Sequence, residues 1–272
     1  MQEVLIQGDK AGKDHWNTNW ADTPIPPAID PDDQSAGNYV VRNYHALFNG
    51  LFAGTGHGKK LLEIGCARSV WLPYFAKYYG FNVSGIDYSE LGCQQAIAAL
   101  KQESVTGNVV CCDFHSPPAS FMNQFDVVIS FGVVEHYTDT KECIESISRY
   151  IKPGGRLITV IPNMTWIMGL LQKYLDISVY RMHVPLSARR LKKAHEKCGL
   201  KVESCKYFMF ANFGVLNTSR IKYSGLVSRL KIKIALNLSR TSRLIGTTED
   251  RTFHLPAMFF LSPYIVCICR KN

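Results

Sequence analysis

Between Lys60 and Pro162, short apolar runs alternate with stretches whose apolar residues recur at helical spacing. KLLEIG from Lys60, NVSGID from Asn82, NVVCCD from Asn108 and FDVVISFG from Phe125 each read as a strand. Short apolar runs bounded by turn residues suit strands covered on both faces. The intervening stretches, Val70 to Tyr79, Glu90 to Gln102 and Thr140 to Ile151, read as helices. Pro73 falls in a first helical turn, where its missing N–H has no intrahelical partner to lose. Pro153-Gly154-Gly155 reads as a turn leading into a fifth strand, RLITVIP. This alternation predicts a parallel sheet with helices on both faces.

The flanks follow other patterns. Residues 1–37 are polar and proline-rich (TPIPPAIDPDD), with Trp16 and Trp20 one helical turn apart in HWNTNW. They read as an extended lead-in with a short aromatic helix able to lie over the sheet as a lid. Asn38 to Leu51 reads as a helix and GTGHGKK from Gly54 as a loop. Residues 1–55 are thus expected to form the lead-in and lid, and 56–272 the main domain. After Pro162 the alternation breaks. Residues 163–186, rich in aromatics and methionine, read as a cap insertion. Ser187 to Cys198 reads as a helix capped by Ser187 and stopped at Gly199. KVESCKYFMF is a strand, 211–250 a second insertion, and LSPYIVCICRK a closing strand. A strand, a long excursion and a last strand suggest an antiparallel final pair.

Composition narrows the class. With 272 residues the chain can bury the core of one large α/β domain. No run of eighteen apolar residues exists, so no membrane-spanning helix is expected. MQEVLIQGDK lacks a basic region followed by an apolar core, so no signal peptide is expected. Nine cysteines without framework spacing read as buried reduced thiols rather than disulfides or metal ligands, which suits a cytoplasmic setting. The net charge is +9, and it is local. No Asp or Glu occurs between Glu203 and Glu249, a window holding Lys206, Arg220, Lys222, Arg229, Lys231, Lys233, Arg240 and Arg243. Leu226, Leu230, Ile234 and Leu238 recur at helical spacing there, although LKIKIALNL also alternates like a strand. Helix is the preferred reading. The basic stretch 220–243 could rest on an anionic membrane, meet nucleic-acid phosphates, or simply cap a pocket.

In an open α/β sheet the ligand lies beyond the carboxyl ends of the strands. Those ends carry Glu63 and Gly65, then Asp87 and Tyr88, then Asp113 and Phe114, then Phe131 and Gly132 followed by Glu135 and His136. A purely structural sheet has no reason to place polar or turn residues at four successive ends. Asp87 sits where a carboxylate would accept from ribose hydroxyls. Asp113 could accept from the adenine amine, with Phe114 against the ring. The turn EIGCARS lacks the further glycines that admit a pyrophosphate, and no G-x-x-x-x-G-K-[ST] motif is present. The ligand is therefore expected to carry adenosine without phosphates, which describes S-adenosylmethionine better than NAD or ATP.

The series EIGCA, GIDYS, CCDF, FDVVISFGVVEH and KPGGRLI resembles the class I S-adenosylmethionine-dependent methyltransferases over roughly residues 60–161, and YIVCICRK resembles their last strand. The V-x-E-H after strand four is similar to small-molecule enzymes of the ubiquinone O-methyltransferase type. The resemblance implies a Rossmann-like α/β fold: a seven-stranded mixed sheet of order 3-2-1-4-5-7-6, strand 7 antiparallel, with helices on both faces. It implies S-adenosyl-L-methionine as cofactor, with S-adenosyl-L-homocysteine as product. The methionine part would lie at Gly65 and Ala67, ribose at Asp87 and adenine at Asp113. Ala67 and Ser69 replace two glycines of the E-x-G-x-G-x-G turn; alanine keeps close backbone approach if its φ stays negative.

The candidate cofactor-binding residues are thus Trp20, Glu63, Gly65, Ala67, Asp87, Tyr88, Asp113, Phe114, Phe131 and Gly132. His136 is the candidate base, having a suitable unperturbed pKa, and His183 the second choice. Glu135, Trp166, Tyr180 and Met182 are candidates for the acceptor side, and no metal is expected. The implied function is methyl transfer to a small-molecule acceptor, on oxygen, in a lipid, quinone, glycan or secondary-metabolite pathway. An RNA methyltransferase using the basic surface and a non-catalytic S-adenosylmethionine-binding protein are the alternatives. Strand four lacks an N-P-P-Y-like turn and no RNA-binding module is attached, which argues against nucleic acid. Nothing in the sequence points to an oligomeric state.

Overall fold

Strands β1 (Lys60–Ile64), β2 (Asn82–Asp87), β3 (Gly107–Cys111), β4 (Phe125–Phe131), β5 (Ile151–Pro162), β6 (Leu200–Phe208) and β7 (Tyr264–Lys271) build one sheet. Its order is β3-β2-β1-β4-β5-β7-β6. Pairing is parallel from β3 through β5, and β7 runs antiparallel to both β5 and β6. This is the Rossmann-like order implied by the family resemblance. The computed structural model describes residues 8–21, 23–217, 225–251 and 255–272.

Helices α1 (Lys13–Trp20), α2 (Tyr39–Phe52), α3 (Trp71–Tyr79), α4 (Glu90–Gln102), α5 (Thr140–Ser148), α6 (Trp166–Leu175), α7 (Ile177–Arg181), α8 (Ala188–Lys197) and α9 (Leu226–Arg251) complete the fold. The pleat sends successive side chains to opposite faces. Leu62, Ile64, Val128 and Leu157 thus join α5 and α8 in one core. Leu61, Val127, Ile129 and Ile158 join α2, α3 and α4 in the other. Continuous apolar strands are what a sheet buried on both faces requires. On α2, Tyr44, Phe48 and Phe52 form one stripe at four-residue spacing. Neighbouring rings of the stripe lie 5.8 and 6.0 Å apart.

Several boundaries differ from the sequence reading. The helix expected over Thr140 to Ile151 stops at Ser148, and β5 begins at Ile151. Pro153-Gly154-Gly155 does not precede the strand; it lies within it as a bulge. Phe125 pairs with Ile151, yet Val127 pairs with Arg156. Gly154 has φ 75, and a Cβ on Gly155 would come within 2.7 Å of Ile151 Cγ2, so the bulge needs its glycines. β3 ends at Cys111, two residues before Asp113.

The expected cap over 163–186 is two helices rather than irregular chain. Asp176 caps α7, its Oδ1 accepting the N–H groups of Ser178 (2.9 Å) and Val179 (3.2 Å). The ambiguous basic stretch is helical in α9; its residues 220–224 lie outside the described residues. Ser242 Oγ of α9 accepts the Phe213 N–H at 2.8 Å, and Gly246 lets the helix close on Tyr39. Among the described residues no helix is long and apolar enough to cross a membrane. All nine cysteines are free thiols.

Candidate active site under an N-terminal strap

The β1–α3 turn has two left-handed positions, Gly65 (φ 74) and Arg68 (φ 57), and neither is Ala67 or Ser69. A Cβ on Gly65 would fall 2.5 Å from Val133 Cγ2, so this glycine is required. The Gly65 and Cys66 N–H groups both donate to the Ile86 carbonyl, at 2.8 and 3.1 Å, fastening the turn to β2. Ala67 packs closely on Gly92 of α4. Ser69 does what glycine cannot. Its hydroxyl donates to Glu63 Oε2 and accepts from the N–H groups of Trp71 (3.0 Å) and Leu72 (3.2 Å), satisfying the start of α3. Glu63 therefore supports the turn from beneath and does not line the cavity. Burial pushes its carboxyl up to about 8.

Asp87 ends β2. Its Oδ2 accepts the Ala67 N–H (3.1 Å) and its Oδ1 the Ser89 N–H (2.8 Å). Burial lifts its pKa to about 6, against the pull of those hydrogen bonds. Each carboxylate oxygen keeps further acceptor capacity. Asp87 lines a cavity of about 180 Å³ together with Gly65, Ala67, Tyr88, Phe114, Phe131 and Gly132. Trp16 and Trp20 of α1 also line it, stacked with centroids 5.3 Å apart.

The strap that carries these tryptophans is tied at both ends. Gly8 accepts the Thr138 N–H, and the Lys10 N–H donates to the His136 carbonyl, both at 2.9 Å. Tyr88 Oη donates to Asp9 Oδ2 at 2.9 Å. Further along, Ser89 Oγ donates to Asn17 Oδ1, Gln95 Nε2 donates to the Trp20 carbonyl (3.1 Å), and Lys13 pairs with Glu90 (3.0 Å).

A second cavity, of about 160 Å³, adjoins the first. Trp16 and His136 border both cavities. Met164, Val179, Met182 and His183 line the second. His136 Nδ1 lies 2.9 Å from the Met182 carbonyl, which can only accept, so Nδ1 carries the proton and Nε2 the lone pair. Burial, reinforced by His183, lowers the His136 pKa to about 3. A histidine so depressed is a weak proton acceptor at neutral pH. Glu135 is buried beside it, with Oε1 at 3.9 Å from His136 Nε2.

The sequence candidates separate here. Trp20, Gly65, Ala67, Asp87, Tyr88, Phe114, Phe131 and Gly132 meet around the first cavity. Asp113 stays behind it: its Oδ1 accepts the His115 N–H at 2.9 Å in a local turn. Of the acceptor-side residues, Met182 reaches the second cavity. Trp166 is 59% exposed and packs on Phe259, and Tyr180 borders neither cavity. Asp9, Val133 and Tyr137 line the first cavity without having been singled out in the sequence. Of these, only Val133 lay inside a noted motif.

Residues 62–159 match the family model described as a methyltransferase domain. This segment is similar to methyltransferase domains. A ubiquinone biosynthesis O-methyltransferase from Coxiella burnetii is 30% identical over 100 residues, 37% of this chain and 42% of that protein. The chain thus spans about two fifths of the length of the curated relatives it matches. The fold of the methyltransferase domain and its flanks recurs in a putative sarcosine dimethylglycine methyltransferase from Galdieria sulphuraria. That structure has a TM-score of 0.60 at 16% identity, covering 96% of this chain and 98% of its own. The [4+2]-cyclase SpnF has a TM-score of 0.59 at 16% identity, covering 93% and 90%.

Proposed function

We propose that the methyltransferase domain binds S-adenosylmethionine in the strap-covered cavity and transfers its methyl group to an oxygen of a small-molecule acceptor in the second cavity. The observation that carries this reading is the Asp87 carboxylate, held by two backbone N–H groups at a strand end and facing a cavity roofed by stacked indoles. The lining fits the cofactor. Among the described residues it contains Asp9 and Asp87 but no lysine or arginine, so it offers no cationic side chain for a pyrophosphate and suits a sulfonium and an ammonium. Aromatic faces from Trp16, Trp20, Phe114 and Phe131 favour both an adenine ring and a cation.

The cofactor, when bound, supplies a methyl already activated on sulfur. The chain's residues then have to align and exclude water rather than activate the donor. Asp87 orients the ribose, the Gly65–Ala67 backbone admits the methionine part, and the strap closes the site. The oxygen acceptor is supported by the name of the Coxiella burnetii relative. The SpnF likeness is a reminder that this fold also hosts other chemistry. Calorimetric titration tests the reading: micromolar binding of S-adenosylmethionine and S-adenosylhomocysteine is expected, with none of NAD. Binding of NAD alone, or of none of the three, overturns it.

A peripheral membrane contact belongs to the same proposal. Leu226 (84% exposed), Val227 and Leu230 open α9, while Trp166, Ile167 and Leu170 stand exposed on α6. Lys231 ties the helices, donating to the Leu175 carbonyl at 3.0 Å. Basic residues beside an exposed apolar face, with no acid from 204 to 248, suit an anionic bilayer. The protein is expected to sediment with phosphatidylserine-containing vesicles but not with neutral ones. A paired Leu226→Asp, Leu230→Asp variant should stay in the supernatant. Equal sedimentation of that variant would remove the membrane contact.

A further inference from the structure

Alignment and water exclusion leave Glu135, His136 and His183 without a task, although all three are buried; His136 borders both cavities and His183 the second. We propose that they form a divalent-metal site of the zinc, cobalt or iron(II) class, opening on the second cavity.

Four observations carry it. One carboxylate oxygen and one nitrogen from each imidazole lie within 4.8 Å of one another. Donors on a metal at about 2.1 Å are roughly 3–4 Å apart, so shifts of about 1 Å or less close the set. Both histidines are pre-set for ligation. His136 Nδ1 donates to the Met182 carbonyl (2.9 Å) and His183 Nδ1 to the Val179 carbonyl (2.7 Å). Each Nε2 is thereby left as a lone pair, with tautomer and ring orientation held by a backbone acceptor, as in ligating histidines. Glu135 Oε2 is buried and has no hydrogen-bond partner among the described residues. A buried carboxylate oxygen in that state is costly, and a cation beside it removes the cost. Finally, two histidines and one carboxylate leave coordination positions open, and His136 and His183 both line the second cavity.

A second buried cluster, His195 with Cys267 and Cys269, lacks these marks. The ring nitrogens of His195 are taken by the Leu191 carbonyl and the Thr159 hydroxyl, both at 2.9 Å. The mixed nitrogen and oxygen donors of Glu135, His136 and His183 favour zinc or iron(II) over calcium or magnesium.

The consequence for chemistry rests on the methyl-transfer reading. The cation acidifies an acceptor hydroxyl, whose proton leaves to water. Its oxygen forms the new bond to the methyl carbon as the carbon–sulfur bond breaks, and that electron pair stays on sulfur.

The test uses the full chain stripped with a chelator and titrated with Co²⁺. One equivalent is expected to give visible d–d absorption of low-coordinate cobalt, which Zn²⁺ then displaces. His183→Ala and the isosteric Glu135→Gln should each weaken Co²⁺ binding by at least about 10-fold. Titration of the same samples with S-adenosylhomocysteine separates the two ideas. If S-adenosylhomocysteine binds but Co²⁺ gives no stoichiometric spectrum, the metal site is overturned and the cofactor site stands. An unchanged cobalt spectrum in both folded variants overturns the site as well. Should Co²⁺ bind as expected while S-adenosylhomocysteine does not, the methyl-transfer reading falls and the metal site survives.

Discussion

Replacing Asp87 by alanine is expected to weaken S-adenosylhomocysteine binding by about 100-fold, since a hydrogen bond to a charged group contributes roughly 1.5–3 kcal/mol. The effect has two sources. The ribose loses its carboxylate acceptor. The Ala67 and Ser89 N–H groups, now anchored at 3.1 and 2.8 Å, lose theirs as well, and the turn that receives the methionine part loosens. Asp87→Asn separates the two, because its amide oxygen can keep one backbone N–H while the charge is gone. Asp126 is the control. It also accepts a backbone N–H, from Lys60 at 2.8 Å, but at the opposite end of the sheet. Asp126→Ala should leave the affinity unchanged. Calorimetry on samples shown to be folded by their melting curves decides the matter. An Asp87→Ala protein that binds as tightly as the unaltered one would mean that the cavity at the β2 end is not the cofactor site.

Asp87 was legible because its position needs only local information: an apolar run, then a carboxylate at the carboxyl end of a strand. Sheet order came from the family resemblance that the quoted motifs carry, not from any local signal. Glu63 shows where such reading stops. It occupies the equivalent end of β1, yet whether it faces the cavity or the turn depends on the Ser69 hydroxyl, six residues away and brought back by the turn itself. Asp113 likewise turns aside to its own backbone, to the N–H of His115. The strap is partly legible: Trp16 and Trp20 announce one face of a helix, but Asp9 carries no local signal and reaches Tyr88 only in the folded chain. His136 was found as the neighbour of Glu135. Its depressed pKa follows from burial against His183, which the chain delivers from beyond β5.

Stability should fall as pH rises above neutrality, and this alkaline limb should carry the signature of Glu63. Burial raises the Glu63 carboxyl from 4.5 to about 8. A raised acid binds its proton more tightly in the folded state. Its contribution is complete below the unfolded pKa and is lost as pH rises through the folded one. The window is therefore about 4.5 to 8, and at about 1.4 kcal/mol per pK unit the loss is roughly 3–5 kcal/mol. Asp87, raised to about 6, acts in the same direction between 3.8 and that value. His195 opposes them. Burial lowers its pKa from 6.5 to about 4, so its contribution is complete above 6.5 and is lost as pH falls toward 4. His195 offsets only part of the acids' slope up to about 6, where the Asp87 window ends; above 6.5 it no longer opposes Glu63, nor Glu135, whose burial likewise raises its carboxyl to about 8. Glu63→Gln keeps an oxygen for the Ser69 hydroxyl and has no proton to lose. Melting temperatures from pH 6.5 to 8.5 should fall more steeply for the unaltered chain than for Glu63→Gln. Parallel curves would show that Glu63 is already ionised in the fold, with a cation or water reaching it beneath the turn.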